Sequence, residues 1–316
     1  MIDKKDWPTL VSGLRSTLLN QSTARGEKEK ISNPAVIAER QRIVSDDLAK
    51  WDRLKFNPNM PDEEFWQVAF SKPFYPKMLS ATVEKYVSYM YSEHLWNWQA
   101  LCGKGWDKGG VDYNAFMADK DCLQSAERLD IVIRAARLIQ KFKELNGNPS
   151  IIKYLLLGSD GWDSVEALRR IHRRARNHIG FGPVTTFHLM MDLGLKVVKP
   201  DQFLNFVSVR LGLIDHFVSV NPLRGDRTEF PLSPEWSLSR IDGYAANENF
   251  LWAIQDVYRQ LANETKVNMR LIDYIVVKLG QDADPGAGIV RTICDQKKPL
   301  CKLCEVKPIC ALGKRR

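Results

Sequence analysis

Residues 293–310 read Ile-Cys-Asp-Gln-Lys-Lys-Pro-Leu-Cys-Lys-Leu-Cys-Glu-Val-Lys-Pro-Ile-Cys, which sets Cys294, Cys301, Cys304 and Cys310 in the pattern C-x6-C-x2-C-x5-C. Four thiolates within 17 residues can wrap one compact inorganic core, and their softness selects zinc or iron–sulfur. Structural zinc sites usually join two close-spaced couples. Here only Cys301 and Cys304 form such a couple and no histidine stands near, so zinc is the less favoured occupant. The other two cysteines, Cys102 and Cys122, stand alone and read as small, partly buried thiols.

Outward from this tail, apolar residues recur at helical spacing almost throughout, and candidate strands are scarce, so an all-α fold is expected. Residues 34–55 form a charged amphipathic pattern. FNPNMPDEEFWQVAF then breaks the chain and restarts it with an acidic helix start, placing a lobe boundary near residue 60. Residues 126–144 repeat apolar residues at Leu129, Ile131, Ile133, Ala136, Leu138 and Ile139, which suits an interior-facing helix, and residues 163–176 surround Val165, Leu168 and Ile171 with arginines. Those arginines read as a solvated face or as a phosphate-facing one. At 316 residues the chain exceeds one ordinary domain, which predicts two lobes. A net charge of +8 favours a polyanionic partner, because each neutralised phosphate releases counterions. No apolar run reaches membrane-spanning length and no export signal is legible, so the expected location is cytoplasmic, nucleoid-associated in a bacterium. In that reducing setting the six cysteines are not expected to form disulfides.

A second motif lies at 178–194, His-Ile-Gly-Phe-Gly-Pro-Val-Thr-Thr-Phe-His-Leu-Met-Met-Asp-Leu-Gly. Glycines 180 and 182 permit positive φ and close backbone approach, so N–H groups at the start of the following helix can face a phosphate without side chains. A third feature is Lys199-Pro200-Asp201, 19 residues after Gly182. Pro200 disfavours helix at Lys199, and Asp201 can cap the next helix, whose N–H groups and dipole keep a carboxylate ionised.

Taken together, these motifs resemble the helix-hairpin-helix DNA glycosylases, endonuclease III and the related adenine glycosylases in particular. The cysteine spacing matches the cluster loop of that family. Ile179, Gly180, Phe181 and Gly182 match its hydrophobic-Gly-hydrophobic-Gly hairpin, and Gly182-Pro183-Val184-Thr185 is similar to the 3-methyladenine glycosylase I version. The resemblance covers about residues 60–310, with specific motifs only at 179–184, 199–201 and 294–310.

The resemblance implies a [4Fe-4S] cluster on the four cysteines and phosphate contacts from the hairpin, Ile179 to Val184, and from Lys297 and Lys298. It implies a catalytic carboxylate at Asp201 and a base-reading wall near Phe74–Tyr86, with Lys77, Ser80 and Tyr86 as candidates. The expected architecture is a helical barrel lobe at 61–184, ending in the hairpin, and a second lobe of 1–60 with 185–316. The expected pocket lies between them. The partner would be double-stranded DNA containing a target base, bound by a monomer that flips the base out. Bifunctional members carry a lysine where this chain has Val184, so a monofunctional hydrolase leaving an abasic site is expected, although Lys196 or Lys199 is within sequence reach of the sugar. His188 and Asp192, four apart, read as a helix-surface hydrogen bond.

Two rivals stand beside this reading. One is a non-catalytic iron–sulfur protein that recognises DNA structure through the same hairpin and cluster. The other is a zinc-stabilised helical adaptor that binds no nucleic acid. Residues 1–60 and 215–250 have no placed counterpart, and the identity of the excised base is open.

Overall fold

The computed structural model describes residues 2–23, 33–75, 78, 80–157, 161–214, 216–221, 226–242 and 247–315. In chain order the longer elements are α1 (Trp7–Thr23), α2 (Pro34–Arg53), α3 (Asp62–Ala69), α4 (Ser80–Met90), α5 (Val111–Ala118), α6 (Ala126–Leu145), α7 (Ile151–Leu156), α8 (Val165–Ile179), α9 (Pro183–Asp192) and α10 (Gln202–Leu211). They continue with β1 (His216–Asn221), β2 (Asp226–Pro231), α11 (Leu238–Asp242), α12 (Glu248–Thr265) and α13 (Met269–Gly280).

The chain is mostly helical, as the periodicity implies. The departure is β1–β2, an antiparallel pair in register from His216 opposite Pro231 to Asn221 opposite Asp226. It falls in the 215–250 segment that had no placed counterpart. Among the described residues no helix is long and apolar enough to cross a membrane.

The fold divides into two compact units, 1–54 with 196–316, and 55–195. The boundaries expected after residues 60 and 184 therefore lie at 54 and 195. The reason is local packing of the hairpin's second helix. α9 packs on α8, on α3 and on the single 3-10 turn Lys72–Phe74, all within the second unit. Behind α9 the chain closes at Gly194, whose φ is +88° and where a Cβ would stand 2.5 Å from the backbone of Lys55 and Phe56. Only glycine fits that approach.

In the first unit α1 buries Trp7, Leu10, Val11, Leu14 and Leu18, a helical stripe, against α2, α12 and α13. Its small face also meets the cysteine-rich tail, where a Cβ on Gly13 would come within 2.7 Å of Val306 Cγ1. Thr17 Oγ1 accepts from the Glu305 N–H at 3.0 Å, while Ser16 and Asn20 donate to the Glu305 carboxylate at 2.6 and 2.7 Å. The N-terminal residues thus form a wall against which the tail is built.

In the second unit α6 buries Leu129, Val132, Ile133, Ala136 and Ile139 and packs on α8. The acidic start of α3 is anchored from within this unit: Asp62 Oδ1 accepts from the Ile151 N–H at 2.8 Å, and its Oδ2 pairs with Lys143.

Candidate functional site

The hairpin is assembled by two glycines with different jobs. α8 starts at Ser164, whose side chain accepts from the Ala167 N–H, and ends at Gly180 in the left-handed region at φ +79°. A Cβ at Gly180 would stand 2.6 Å from Leu138 Cδ1, so both backbone and packing require glycine there. Gly182 caps α9 with φ −64°, is exposed, and a Cβ there would meet nothing within 4 Å. Neither strain nor packing accounts for glycine at 182.

The first helical donor of α9 outside its own first turn is the Thr186 N–H, onto the Gly182 carbonyl at 2.9 Å, so the N–H groups of Val184 and Thr185 point out of the helix start. The two helices are locked by His172, buried on α8, whose Nε2 lies 3.1 Å from the Pro183 carbonyl and whose ring sits 4.2 Å from that of Phe187. Ile179 and Phe181 are buried and hold the turn, whereas Pro183 and Val184 are half-buried. The arginine-rich face of α8 splits in two: Arg169, Arg170 and Arg173 are exposed, and Arg174 turns back onto the carbonyls at the end of α7, among them Leu155 at 3.2 Å.

In the first unit, Asp201 caps α10. Its Oδ1 accepts from the N–H groups of Phe203 and Leu204, both at 3.0 Å, and its Oδ2 pairs with Lys199 Nζ at 3.0 Å. The side chain keeps 19% of its exposure. Three residues far away in sequence place this segment. Gln255 of α12, fully buried, grips Val198 with its amide, accepting from the N–H and donating to the carbonyl, each at 2.8 Å. Asp273 of α13 accepts from the Lys199 N–H at 2.8 Å, and Arg270 pairs with Asp273 at 3.2 Å.

The result is a set of two cations and two carboxylates. Burial works against the Lys199 ammonium, but the carboxylates of Asp201 and Asp273 outweigh it and hold its pKa above the ordinary lysine value. Burial pushes the Asp273 carboxyl up to about 6, against the pull of Arg270 and Lys199. A Lys199 amine kept charged is a poor nucleophile. Sequence reading missed Gln255, Arg270 and Asp273; the available signal was a lone aspartate inside the apolar run Leu271-Ile272-Asp273-Tyr274-Ile275-Val276, which a buried helix tolerates only when paired.

The cysteines converge. Cys294, Cys301, Cys304 and Cys310 line one small cavity of about 30 Å³, walled by Leu14, Val207, Leu211, Leu279 and Ile293. Their sulfurs are not clustered for one ion: no three of the four lie within 4.8 Å of one another. A tetrahedral zinc with bonds near 2.3 Å would hold its sulfurs about 3.8 Å apart. Burial pushes the Cys294 and Cys304 thiols up to about 12 and about 11, so ionising them in place requires a cation in the cavity.

Arg210 organises the loop from below. Buried on α10 and stacked at 4.0 Å on Phe206, it donates to the carbonyls of Cys294, Asp295 and Gln296 at 3.1, 2.5 and 2.8 Å and stands 3.8 Å from Cys294 Sγ. The crest is closed by Asp295, whose carboxylate accepts the N–H groups of Lys297 and Lys298 and is held below the usual aspartate range first by the bond from Lys298. Lys297 and Lys298 are exposed at that crest.

Near the expected base-reading wall, Lys77 lies outside the described residues, and Ser80 is described only as the first residue of α4. Tyr86 is half-buried, with Lys85 Nζ 5.3 Å from its ring centre. His188 and Asp192 do meet, at 3.2 Å, but not on a helix surface: both are largely buried and share Oδ2 of Asp192 with the buried Lys72 at 2.6 Å. The tertiary fold brings in Lys72 from 120 residues away, and Tyr75 packs edge-on to His188 at 5.0 Å.

Comparison with family models, with curated proteins and with solved structures returned no match for this chain.

Proposed function

We propose that this protein is a DNA glycosylase of the helix-hairpin-helix type that carries a [4Fe-4S] cluster on Cys294, Cys301, Cys304 and Cys310. The observation that carries the reading is Gly182. It is a glycine that the chain's own conformation and packing do not require, at the head of a helix with outward-facing N–H groups. Close approach of a phosphate is what a missing Cβ there permits.

Two further features support it. Four cysteines line one cavity, and soft thiolates suit an iron–sulfur core. The cluster, when bound, supplies a rigid clamp for the loop bearing Lys297 and Lys298. Asp201 supplies the carboxylate. Breaking the C1′–N bond leaves positive charge on the sugar while the base departs with the bonding electrons; a fixed anion lowers the energy of that state, and water then adds at C1′ and loses a proton. Lys199 and the α10 N–H groups hold the Asp201 carboxylate in place, and Lys199, itself charged, does not serve as an amine nucleophile, so the product is an abasic site.

The same geometry favours a second reading to a definite extent. Asp201 already satisfies two N–H groups and one ammonium, as an ordinary cap would, which suits a non-catalytic iron–sulfur protein that recognises DNA structure. The deciding experiment uses anaerobically purified protein with iron and sulfide quantified, duplexes carrying damaged, mismatched or modified bases, and Asp201→Asn beside wild type. Asparagine preserves the cap. Glycosylase activity predicts base release that falls by at least about 100-fold in the variant with DNA affinity kept; release that is absent from the wild type across the panel, or unchanged in the variant, sinks the enzymatic reading and leaves the binding one.

A further inference from the structure

The second unit contains a constellation that the glycosylase reading does not use. α4 runs into a single π-turn, Tyr91–Leu95, which carries His94; Asp119 follows α5, and Cys122 lies in the next turn. One ligand atom from each of His94, Asp119 and Cys122 lies within 4.8 Å of the other two. His94 Nε2 stands 2.9 Å from Asp119 Oδ2, and the Tyr89 hydroxyl donates to that same oxygen at 2.9 Å. Cys122 is buried at 4% exposure, while the His94 and Asp119 side chains keep 18% and 20%.

We propose that His94, Asp119 and Cys122 form a site for one divalent cation of the zinc class, with a water molecule in the fourth position.

The donor set is the first argument. Imidazole nitrogen, carboxylate oxygen and thiolate sulfur together suit a borderline-soft ion, and bonds of about 2.0–2.3 Å place tetrahedral donors roughly 3.3–3.7 Å apart. The His94–Asp119 separation is 2.9 Å, and the Cys122 sulfur lies within 4.8 Å of both ligand atoms. Charge is the second argument: a dication with one thiolate and one carboxylate is neutral overall, which a partly buried site tolerates. Orientation is the third. The second oxygen of Asp119 is fixed by the Asp121 N–H at 2.9 Å, and the His94 ring is held edge-on by Phe116 at 5.4 Å and Tyr89 at 6.3 Å. Such outer contacts orient metal ligands.

A His–Asp hydrogen bond alone explains two of the three residues. Cys122, whose thiol hydrogen-bonds Asp119, adds a sulfur within reach of both. The extra residue of a π-turn is a device that recurs where a helix must re-aim a side chain. Coordination balances simply: the Cys122 thiol gives its proton to solvent, His94 binds as neutral imidazole with its proton on Nδ1, and the Asp119 carboxylate enters as it stands. The ion would tie the end of α4 to the loop after α5. It is separate from the tail cysteines.

The test is a Co²⁺ titration of the full-length, anaerobically purified protein after a mild chelator has removed loosely bound metal, with Zn²⁺ competition. The expected result is one equivalent of Co²⁺ giving a near-ultraviolet thiolate-to-cobalt band with visible ligand-field bands, all displaced by Zn²⁺. Cys122→Ser should abolish the thiolate band and weaken binding more than about tenfold, and Cys102→Ser should leave both unchanged. His94→Gln gives an independent readout should Cys122→Ser not fold. No thiolate band in the wild type, or a band that persists in both the Cys122 and His94 variants and so belongs to the tail cysteines, overturns the proposal.

Discussion

At the scale of single residues, Asp201 and Asp273 show one chemical group placed in two environments. Asp201 is capped by two N–H groups and paired with Lys199, and it keeps some exposure. Asp273 is buried at 2% exposure, and desolvation raises its carboxyl to about 6. The sign of the consequence follows from linkage. Between the unfolded value near 4 and the folded value of about 6, the native state binds more protons than the unfolded chain. Asp273 therefore contributes stability that is fully present below about pH 4 and is lost as pH rises through about 6. Asp273→Asn, which still accepts from the Lys199 N–H, should flatten the fall in urea-unfolding midpoint over that window. An identical pH profile for both proteins would contradict the assignment.

Arg210 belongs to the same scale. Arg210→Met removes the donors of three carbonyls, each costing about 1–3 kcal/mol when buried and unpaired. The variant is expected to lose on the order of 3 kcal/mol or more and, if the proposed cluster is bound, to be purified with less iron per chain than wild type. Full iron content with unchanged thermal stability would show that the loop does not depend on it.

At the scale of elements, the hairpin turns on the contrast between its glycines. Gly180→Ala places a Cβ at φ +79° and 2.6 Å from Leu138 Cδ1, with an expected loss of about 1–3 kcal/mol. Gly182→Ala meets no atom within 4 Å and should change stability by less than about 1 kcal/mol. In the DNA-binding reading that same methyl intrudes on the phosphate, so affinity should drop several-fold in a variant as stable as wild type. Equal affinity in Gly182→Ala and wild type would remove the hairpin's role while leaving its architecture intact.

At the scale of the whole molecule, the net charge of +8 and the exposed Lys297 and Lys298 make a quantitative demand. If both lysines sit on phosphates, replacing them with alanine should make log K against log salt shallower by about 0.9 per lysine, and affinity should fall for every duplex sequence alike. A slope equal to that of wild type would place the lysines in solvent. The architecture gives the tail a further role: Glu305 meets Thr17, Ser16 and Asn20 of α1, so the cysteine loop and the N-terminal helix stabilise each other.

Local patterns carried much of this molecule. Helical periodicity, the cap at Asp201, the left-handed glycine at 180 and the cysteine spacing all depend on neighbours within a few residues, and each is legible in the linear chain for that reason. The tertiary structure decided the rest. It placed α9 with the second unit, added the β1–β2 pair and set the N-terminal helix against the tail. It brought Gln255 and Asp273 to the segment that presents Asp201, Arg210 to the cysteine loop, Lys72 to Asp192, and Cys122 to His94. These partners come from positions separated by 28 to 120 residues. A buried charge or amide is admitted only where a partner meets it, and which residue meets it is settled when the helices pack, not by the spacing of residues along the chain.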